Sequence, residues 1–457
     1  MNTIVALATP LGRSGIGVVR LSGDESLAIA RSLLGDSSFT PAPRAAYLRQ
    51  LRDQTAEVID QALVTYFQAP HSFTGEDVVE ISCHGSPVLL RVIIDTCLKL
   101  GARLAEAGEF SLRALANGRM DLTEAEAIRD LIDAQTTAAA RQAIRQMRGE
   151  FSHLLRPVKD ELLDIIVVLE SALEFVEDDL PETQADSISA RLDAVAETIA
   201  RMASTFKAGN LLREGLRVAI VGRPNVGKSS LFNALLGSER AIVTDIPGTT
   251  RDQLHERFTI DNIPISLIDT AGLRDTTDTV ESIGVARSRR TMADVDVVVA
   301  MFDAAELQTA EDVEILKSIE AAEHIIAINK IDKVDAEAVR SFRDELQIHT
   351  SERCDVVELS ATTGAGLDEL RRSVVRPFSA ARSDSGGFLV SDARHYDLLV
   401  RANDAIVDSN ELLRNRASEE ITLIGLHNAL RYLGEITGET TTEDMLTRIF
   451  STFCIGK

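Results

Sequence analysis

The stretch GRPNVGKSS (222–230) sets two glycines, a lysine and two serines at the spacing G-x-x-x-x-G-K-S. Glycines at these places let successive backbone N–H groups curl around phosphate oxygens. A strand-like run (RVAIV) precedes the motif and a helix-like run (SSLFNALLG) follows it, so a helix N-terminus would also face the phosphates. Asn225, Val226, Gly227, Lys228, Ser229 and Ser230 are expected around a nucleotide, with Lys228 on the β- and γ-phosphates and Ser229 on Mg²⁺.

Three more short motifs follow in order, each near the end of a strand-like run. In DTAG, Asp269 is placed for a water-mediated Mg²⁺ role, Gly272 can offer its N–H to a γ-phosphate, and Thr270 and Ala271 lie between them. In NKID (Asn329, Lys330, Asp332) the Asp332 carboxylate can accept two hydrogen bonds from guanine N1–H and N2–H, which adenine does not offer. In SAT (Ser360, Ala361, Thr362) the backbone can meet guanine O6. Between the first and second motifs, Thr244, Asp245, Ile246, Pro247, Gly248, Thr249 and Thr250 form a polar loop. Thr249 and Thr250 are the candidates for a switch threonine on Mg²⁺, and Thr250 is the one assigned. Together the four motifs predict GTP binding.

Leu273 follows DTAG where a Ras-like switch has a water-orienting glutamine, so another group must organise the water. Asn225 could hold a monovalent cation in place of an arginine finger, Arg274 could be a finger, or Arg274 could simply be solvated. Cys454 reads either as a small buried apolar residue or as an exposed thiol beside Lys457. Near the start, GRSGIGVVR ends at Arg20, and strand alternation in DVVEIS sets Glu80 on the face opposite Val79 and Ile81. A solvated edge is the plain alternative for Glu80.

The elements that must position these residues fall into four stretches. Residues 1–118 mix strand and helix patterns; 119–210 read as helix; 211–378 alternate strands and helices in the doubly wound manner; 379–457 return to helix. An α/β domain inserted in an all-α domain is the simplest reading. In TEAEAIRDLIDAQT, Thr123 and Glu126 stand at capping-box spacing, and Leu162, Ile165, Ile166, Leu169, Ala172, Leu173 and Val176 form one helical stripe.

The 457 residues exceed one ordinary core. Four scattered cysteines without a CxxC pair, no apolar run of spanning length and no signal-like N-terminus lead to the expectation of a cytoplasmic protein without membrane association. A formal charge of −23 argues against nonspecific nucleic-acid binding and leaves room only for a local basic contact.

TPxGRSGIGVVRxSG, SFTGEDVVE, GEFSLRALANGRMDL, the nucleotide motifs, TTRD and GETTTEDMLTRIFSTFCIGK together resemble the tRNA modification GTPase family known as MnmE or TrmE, over essentially the whole chain. The resemblance implies a multidomain fold: an N-terminal α+β folate-binding-like and dimerisation domain, an all-α helical domain, and an inserted Ras-like α/β P-loop GTPase domain. It implies a homodimer that works on tRNA with a flavin-dependent (FAD) partner, MnmG or GidA, in a heterotetramer or larger complex. Its product would be an aminomethyl or carboxymethylaminomethyl group at C5 of the wobble uridine, the carbon coming from a 5,10-methylene- or 5-formyl-tetrahydrofolate. Arg20, Glu80, Arg119 and Lys457 would bind the folate; the third is commonly lysine in the family, and arginine keeps the charge with a different fork geometry. Asn225, Thr244, Ile246 and Thr249 would hold K⁺. Glu281 would place the water, and Cys454 would be the family's cysteine. A ribosome-assembly GTPase of the Era or Der type is the alternative, disfavoured by the folate-like first domain and the CIGK end.

Overall fold

The computed structural model describes residues 2–53, 55–174, 182–237, 256–261, 263–269, 295–320, 322–347, 354–379, 387–416 and 419–456. The chain divides into two units: Met1–Asp133, Ala143–Ile199 and Leu398–Lys457 form unit 1, and Ala134–Gln142 with Ala200–Asp397 form unit 2. Among the described residues no helix is long and apolar enough to cross a membrane.

Unit 1 opens with strands β1 (Ile4–Leu7), β2 (Ser14–Ser22), β3 (Ala46–Arg52), β4 (Val58–Phe67), β5 (Val78–Gly85) and β6 (Arg103–Leu104). Their order is β3-β4-β5-β2-β1-β6, antiparallel except for the parallel β1–β6 pair. Helices Ser26–Leu34 and Pro87–Lys99 supply Ile29, Leu33, Leu90 and Ile93 to a core shared with Val79, Ile81 and Cys83 of β5. The strand period of two sends Glu80 to the opposite face, between Thr65 of β4 and Arg20 of β2 in register.

The helical part of unit 1 contains helices Leu122–Asp133, Glu150–Glu174, Glu419–Thr437 and Glu443–Phe450. Leu162, Ile165, Ile166 and Leu169 are fully buried as their spacing predicts, Ala172 and Leu173 are half-buried, and Val176 lies outside the described residues. The helix start differs from the expected Thr123–Glu126 box. Asp121 Oδ1 accepts from the Glu124 N–H at 2.9 Å, and Glu124 Oε2 accepts from the Asp121 N–H at 2.9 Å. DLTE outcompetes TEAE because Thr123 and Glu126 face inward, both buried.

Unit 2 holds β7 (Leu216–Val221), β8 (Glu256–Ile260), β9 (Ile263–Asp269), β10 (Val297–Asp303), β11 (His324–Asn329) and β12 (Asp355–Glu358), in the order β12-β11-β10-β7-β9-β8. Only β8 runs antiparallel to its neighbour. All seven residues of β10 are buried. Val299 and Met301 pack with Val218 and Ile220 on one face, and Val298, Ala300 and Phe302 pack with Leu316 and Phe342 on the other. A parallel sheet covered on both faces needs such a continuous apolar run. Where the chain enters and leaves this unit, Phe206 stacks on Tyr396 with centroids 4.4 Å apart, and Arg213 donates to Asp392 at 2.6 Å.

The reciprocal cap predicts that Asp121→Ala lowers the stability of unit 1 by about 1 kcal/mol, read as a shift of its unfolding transition in urea. An unchanged midpoint would show that the helix start does not depend on Asp121.

Candidate functional site

The phosphate loop begins where β7 ends. Gly222 has φ 153° and Gly227 φ 106°. A Cβ on Gly222 would lie 2.5 Å from the Met301 carbonyl oxygen, and one on Gly227 would lie 2.3 Å from Asn329 Nδ2. Side chains at these two positions would push the loop off its supports, so glycine is required. Asn225 is left-handed at φ 64°, a conformation that asparagine tolerates. The Lys228 ammonium donates to the carbonyls of Gly222 at 2.6 Å and Arg223 at 2.7 Å. Ser229 and Ser230 are exposed in the first turn of helix Lys228–Gly237.

NKID ends β11 and supports this loop from below. Asn329 Nδ2 donates to the Val226 carbonyl at 2.8 Å, and Asn329 Oδ1 accepts from the Ala361 N–H at 3.0 Å. Lys330, left-handed at φ 63°, donates to the Asn225 carbonyl at 2.8 Å and to Asp303 Oδ2. Asp332 is exposed in the short turn Ile331–Lys333, open to a base. Ser360 is buried and closes its own turn: its N–H donates to the Ala365 carbonyl and its Oγ accepts from the Thr363 N–H. Thr362 is exposed. An open cleft of about 470 Å³ is bounded by Ser230 and Asn233 on the helix and by Thr362 and Gly364 on the loop.

The donor set fits a nucleoside triphosphate and Mg²⁺: glycine cradles, a lysine parked on two carbonyls, and an exposed serine at a helix N-terminus. Asp269 is the last residue of β9, in register with Ile220. Thr244, Asp245, Ile246, Pro247, Gly248, Thr249, Thr250, Thr270, Ala271, Gly272, Leu273, Arg274, Glu281 and Lys457 lie outside the described residues.

In unit 1 the C-terminal tail meets the first sheet. Arg20 donates from Nε to Glu80 Oε1 at 2.9 Å and from Nη1 to the Gly456 carbonyl at 3.1 Å. Its guanidinium carbon sits 5.7 Å from the Phe73 ring centroid and 5.8 Å from that of Phe110. Ile455 bridges Ala107, and a Cβ on Gly456 (φ 98°) would stand 2.4 Å from the Leu7 carbonyl oxygen. The tail is therefore seated on β1, one residue before Lys457. Arg119 is exposed, with its stem beside Gly75, on the loop that also carries Phe73. Cys454 is exposed, so the reading of it as a buried apolar residue does not hold. Cys83 and Cys97 are the buried thiols, pushed up by burial to about 11 and about 12.

Unit 1 also holds an ionic network that motif reading missed. Arg113 is almost fully buried and reaches both oxygens of Glu76, at 3.1 and 2.9 Å, as well as Glu109 Oε1 and the Asn2 carbonyl. Glu76 Oε2 accepts from Ser22 Oγ at 2.7 Å, and Arg103 also pairs with Glu109. Burial works to raise the Glu109 pKa, but hydrogen bonds from Arg103, the Glu106 N–H and Arg113 overcome it and hold the group below its ordinary 4.5. The available signal was the pairing of Glu109 and Arg113 at i, i+4 within EFSLR.

A glycine phosphate loop, an NKID strand end and a SAT strand end on one mostly parallel sheet define a P-loop GTPase, here joined in sequence to a β-rich N-terminal region and to helices on both sides. A family model for the GTP-binding protein TrmE N-terminus matches residues 3–119, and one for the MnmE helical domain matches 122–454. The tRNA modification GTPase MnmE of Aquifex aeolicus is 43% identical over 455 residues, covering 99% of each chain. The protein of that name from Laribacter hongkongensis is 44% identical over 459 residues, covering 100% of this chain and 99% of its own. The G domain of the T. maritima FeoB iron transporter is 34% identical, covers 35% of this chain and 97% of its own, and has a TM-score of 0.27. The chain belongs to the tRNA modification GTPase MnmE family.

A carboxylate with a depressed folded-state pKa stabilises the fold above its unfolded pKa, and that contribution is lost as pH falls through the folded value. The thermal stability of unit 1 is therefore expected to fall as pH drops below about 4.5. Glu109→Gln should flatten the profile in that window and cost roughly 2 kcal/mol at neutral pH. A variant profile that parallels the wild type would remove Glu109 from the acid response.

Proposed function

We propose that this GTPase, with a flavin-dependent MnmG-type partner, installs an aminomethyl or carboxymethylaminomethyl group at C5 of the wobble uridine of certain tRNAs. It acts as a cytoplasmic homodimer joined through its N-terminal domains. The observation that carries this reading is the junction of Arg20, Glu80 and Gly456, which seats the tail ending in Lys457 on the first sheet. A tetrahydrofolate bound there would supply the one-carbon unit. Arg20 and Lys457 offer positive charge for its carboxylates, Glu80 holds the Arg20 fork in orientation, and Arg119 extends the basic edge. Cys454, exposed three residues before the end, is assigned to the same chemistry.

In the GTPase unit, Lys228 exchanges its two carbonyl partners for phosphate oxygens when GTP binds. Ser229 and Thr250 hold Mg²⁺, which offsets phosphate charge, and Asp269 adds a water-mediated contact. Asn225, Thr244, Ile246 and Thr249 hold a K⁺ that supplies the positive charge of an arginine finger. Glu281 orients the attacking water, the task Leu273 cannot perform. Asp332 selects guanine through its exposed carboxylate.

GTP hydrolysis at equal ionic strength is expected to be about tenfold faster in KCl than in NaCl, with Asn225→Ala losing that difference and Glu281→Ala falling about 100-fold. Equal rates in both salts would reject the K⁺ assignment. Separately, tRNA from a deletion strain should lack the modified wobble nucleoside. It should regain it with the wild-type gene and not with Arg20→Ala; recovery with that variant would remove Arg20 from the folate site.

A further inference from the structure

One charged side chain of the phosphate loop takes no part in the nucleotide motifs. Arg223 follows Gly222, and its side chain is 13% exposed. Its Nε donates to Asp312 Oδ1 at 2.7 Å, and its Nη2 lies 3.4 Å from Glu306 Oε2. The Asp312 side chain is 1% exposed. Its second oxygen accepts from the Thr309 N–H at 2.9 Å and from Thr309 Oγ1 at 3.0 Å, closing the capping box of helix Ala310–Ile319. One buried carboxylate thus joins the phosphate loop to the start of a helix that follows β10.

The main chain of the same arginine does a second job. Its carbonyl, with that of Gly222, holds the Lys228 ammonium. The peptide that receives the lysine is therefore fixed by the side chain that reaches Asp312. NKID supports the loop further along, through the carbonyls of Asn225 and Val226. Nothing in those contacts restrains the loop at residue 223.

We propose that Arg223 and Asp312 form a positioning pair that sets nucleotide affinity by fixing the first peptide of the phosphate loop. The pair is sensitive to loss of either member. Without Arg223 the buried Asp312 carboxylate keeps its Thr309 hydrogen bonds but loses its cation, and without Asp312 the guanidinium keeps the longer contact to the exposed Glu306. Released from Asp312, the 222–223 peptide is no longer held in place before nucleotide arrives, so part of the binding energy goes into ordering it. Once nucleotide is bound, Lys228 and the neighbouring N–H groups still meet the phosphates. Because GDP and GTP both use this peptide, the pair acts on binding to both. Its removal raises KM more than it lowers kcat, and most of the change falls in nucleotide release.

The test is fluorescent-GDP binding and release, together with steady-state GTP hydrolysis, on the full chain with Arg223→Met, Asp312→Asn, the double variant and Arg223→Lys. Each single change is expected to raise the GDP Kd about tenfold, with kcat within about twofold of wild type. The double variant should be no weaker than either single one, as for two residues acting as a unit. Arg223→Lys should fall between, since it keeps the charge without the fork. A pair that served only to hold the fold would lower the melting temperature of the free protein and leave the Kd unmoved. That result, additive losses, or a fall in kcat at constant KM would each overturn the proposal. If Arg223→Met unfolds, Arg223→Lys, which keeps Asp312 neutralised, carries the same comparison.

Discussion

The Asn329 side chain is the contact on which the nucleotide site depends. It is 2% exposed, and its amide gives a hydrogen bond to the Val226 carbonyl while taking one from the Ala361 N–H. Those two bonds tie the phosphate loop to the SAT loop, which is proposed to meet the base. Each is worth only about 1 kcal/mol net, but a buried donor or acceptor left unmade costs more. The bridge also explains Gly227, where any side chain would occupy the place of the Asn329 amide. The parallel sheet makes the bridge possible because β7, β11 and β12 present their C-terminal ends on one edge.

A chain of net charge −23 that handles anionic ligands needs its positive groups concentrated. Both candidate sites do this with few residues. In unit 2, Lys228 and Lys330 are held on main-chain oxygens around the loop. In unit 1, Arg20 is held by Glu80 and by the tail, 5.7 and 5.8 Å from the Phe73 and Phe110 ring centroids, and Arg113, close to Phe110 in sequence, pairs with Glu76 and Glu109. Glu109 belongs to that second network, where Arg103 and Arg113 hold its carboxylate.

The GTPase class was legible in the sequence because phosphate and guanine recognition demand particular residue types at fixed backbone spacings. The unit 2 strands were legible too, since burial on both faces leaves an unbroken apolar run such as VVVAMFD. The helix start at Asp121 was misread because TEAE satisfies the same local rule as DLTE, and only the inward facing of Thr123 and Glu126 separates them. Arg113 pairs with Glu76, 37 residues away, and Arg223 with Asp312, 89 residues away. Such pairings depend on tertiary contact and leave no periodic trace. Glu281 could be chosen from 71 acidic residues only through family resemblance.

The most direct test of the central claim is calorimetric titration of GDP into the wild-type protein and into Asn329→Ala, with the melting of unit 1 followed alongside. If one buried amide couples the two loops, affinity falls at least about 100-fold, which corresponds to roughly 3 kcal/mol, while unit 1 melts as before. An affinity within threefold of wild type would mean that the loops hold their positions independently, and that the bridge does not organise the site.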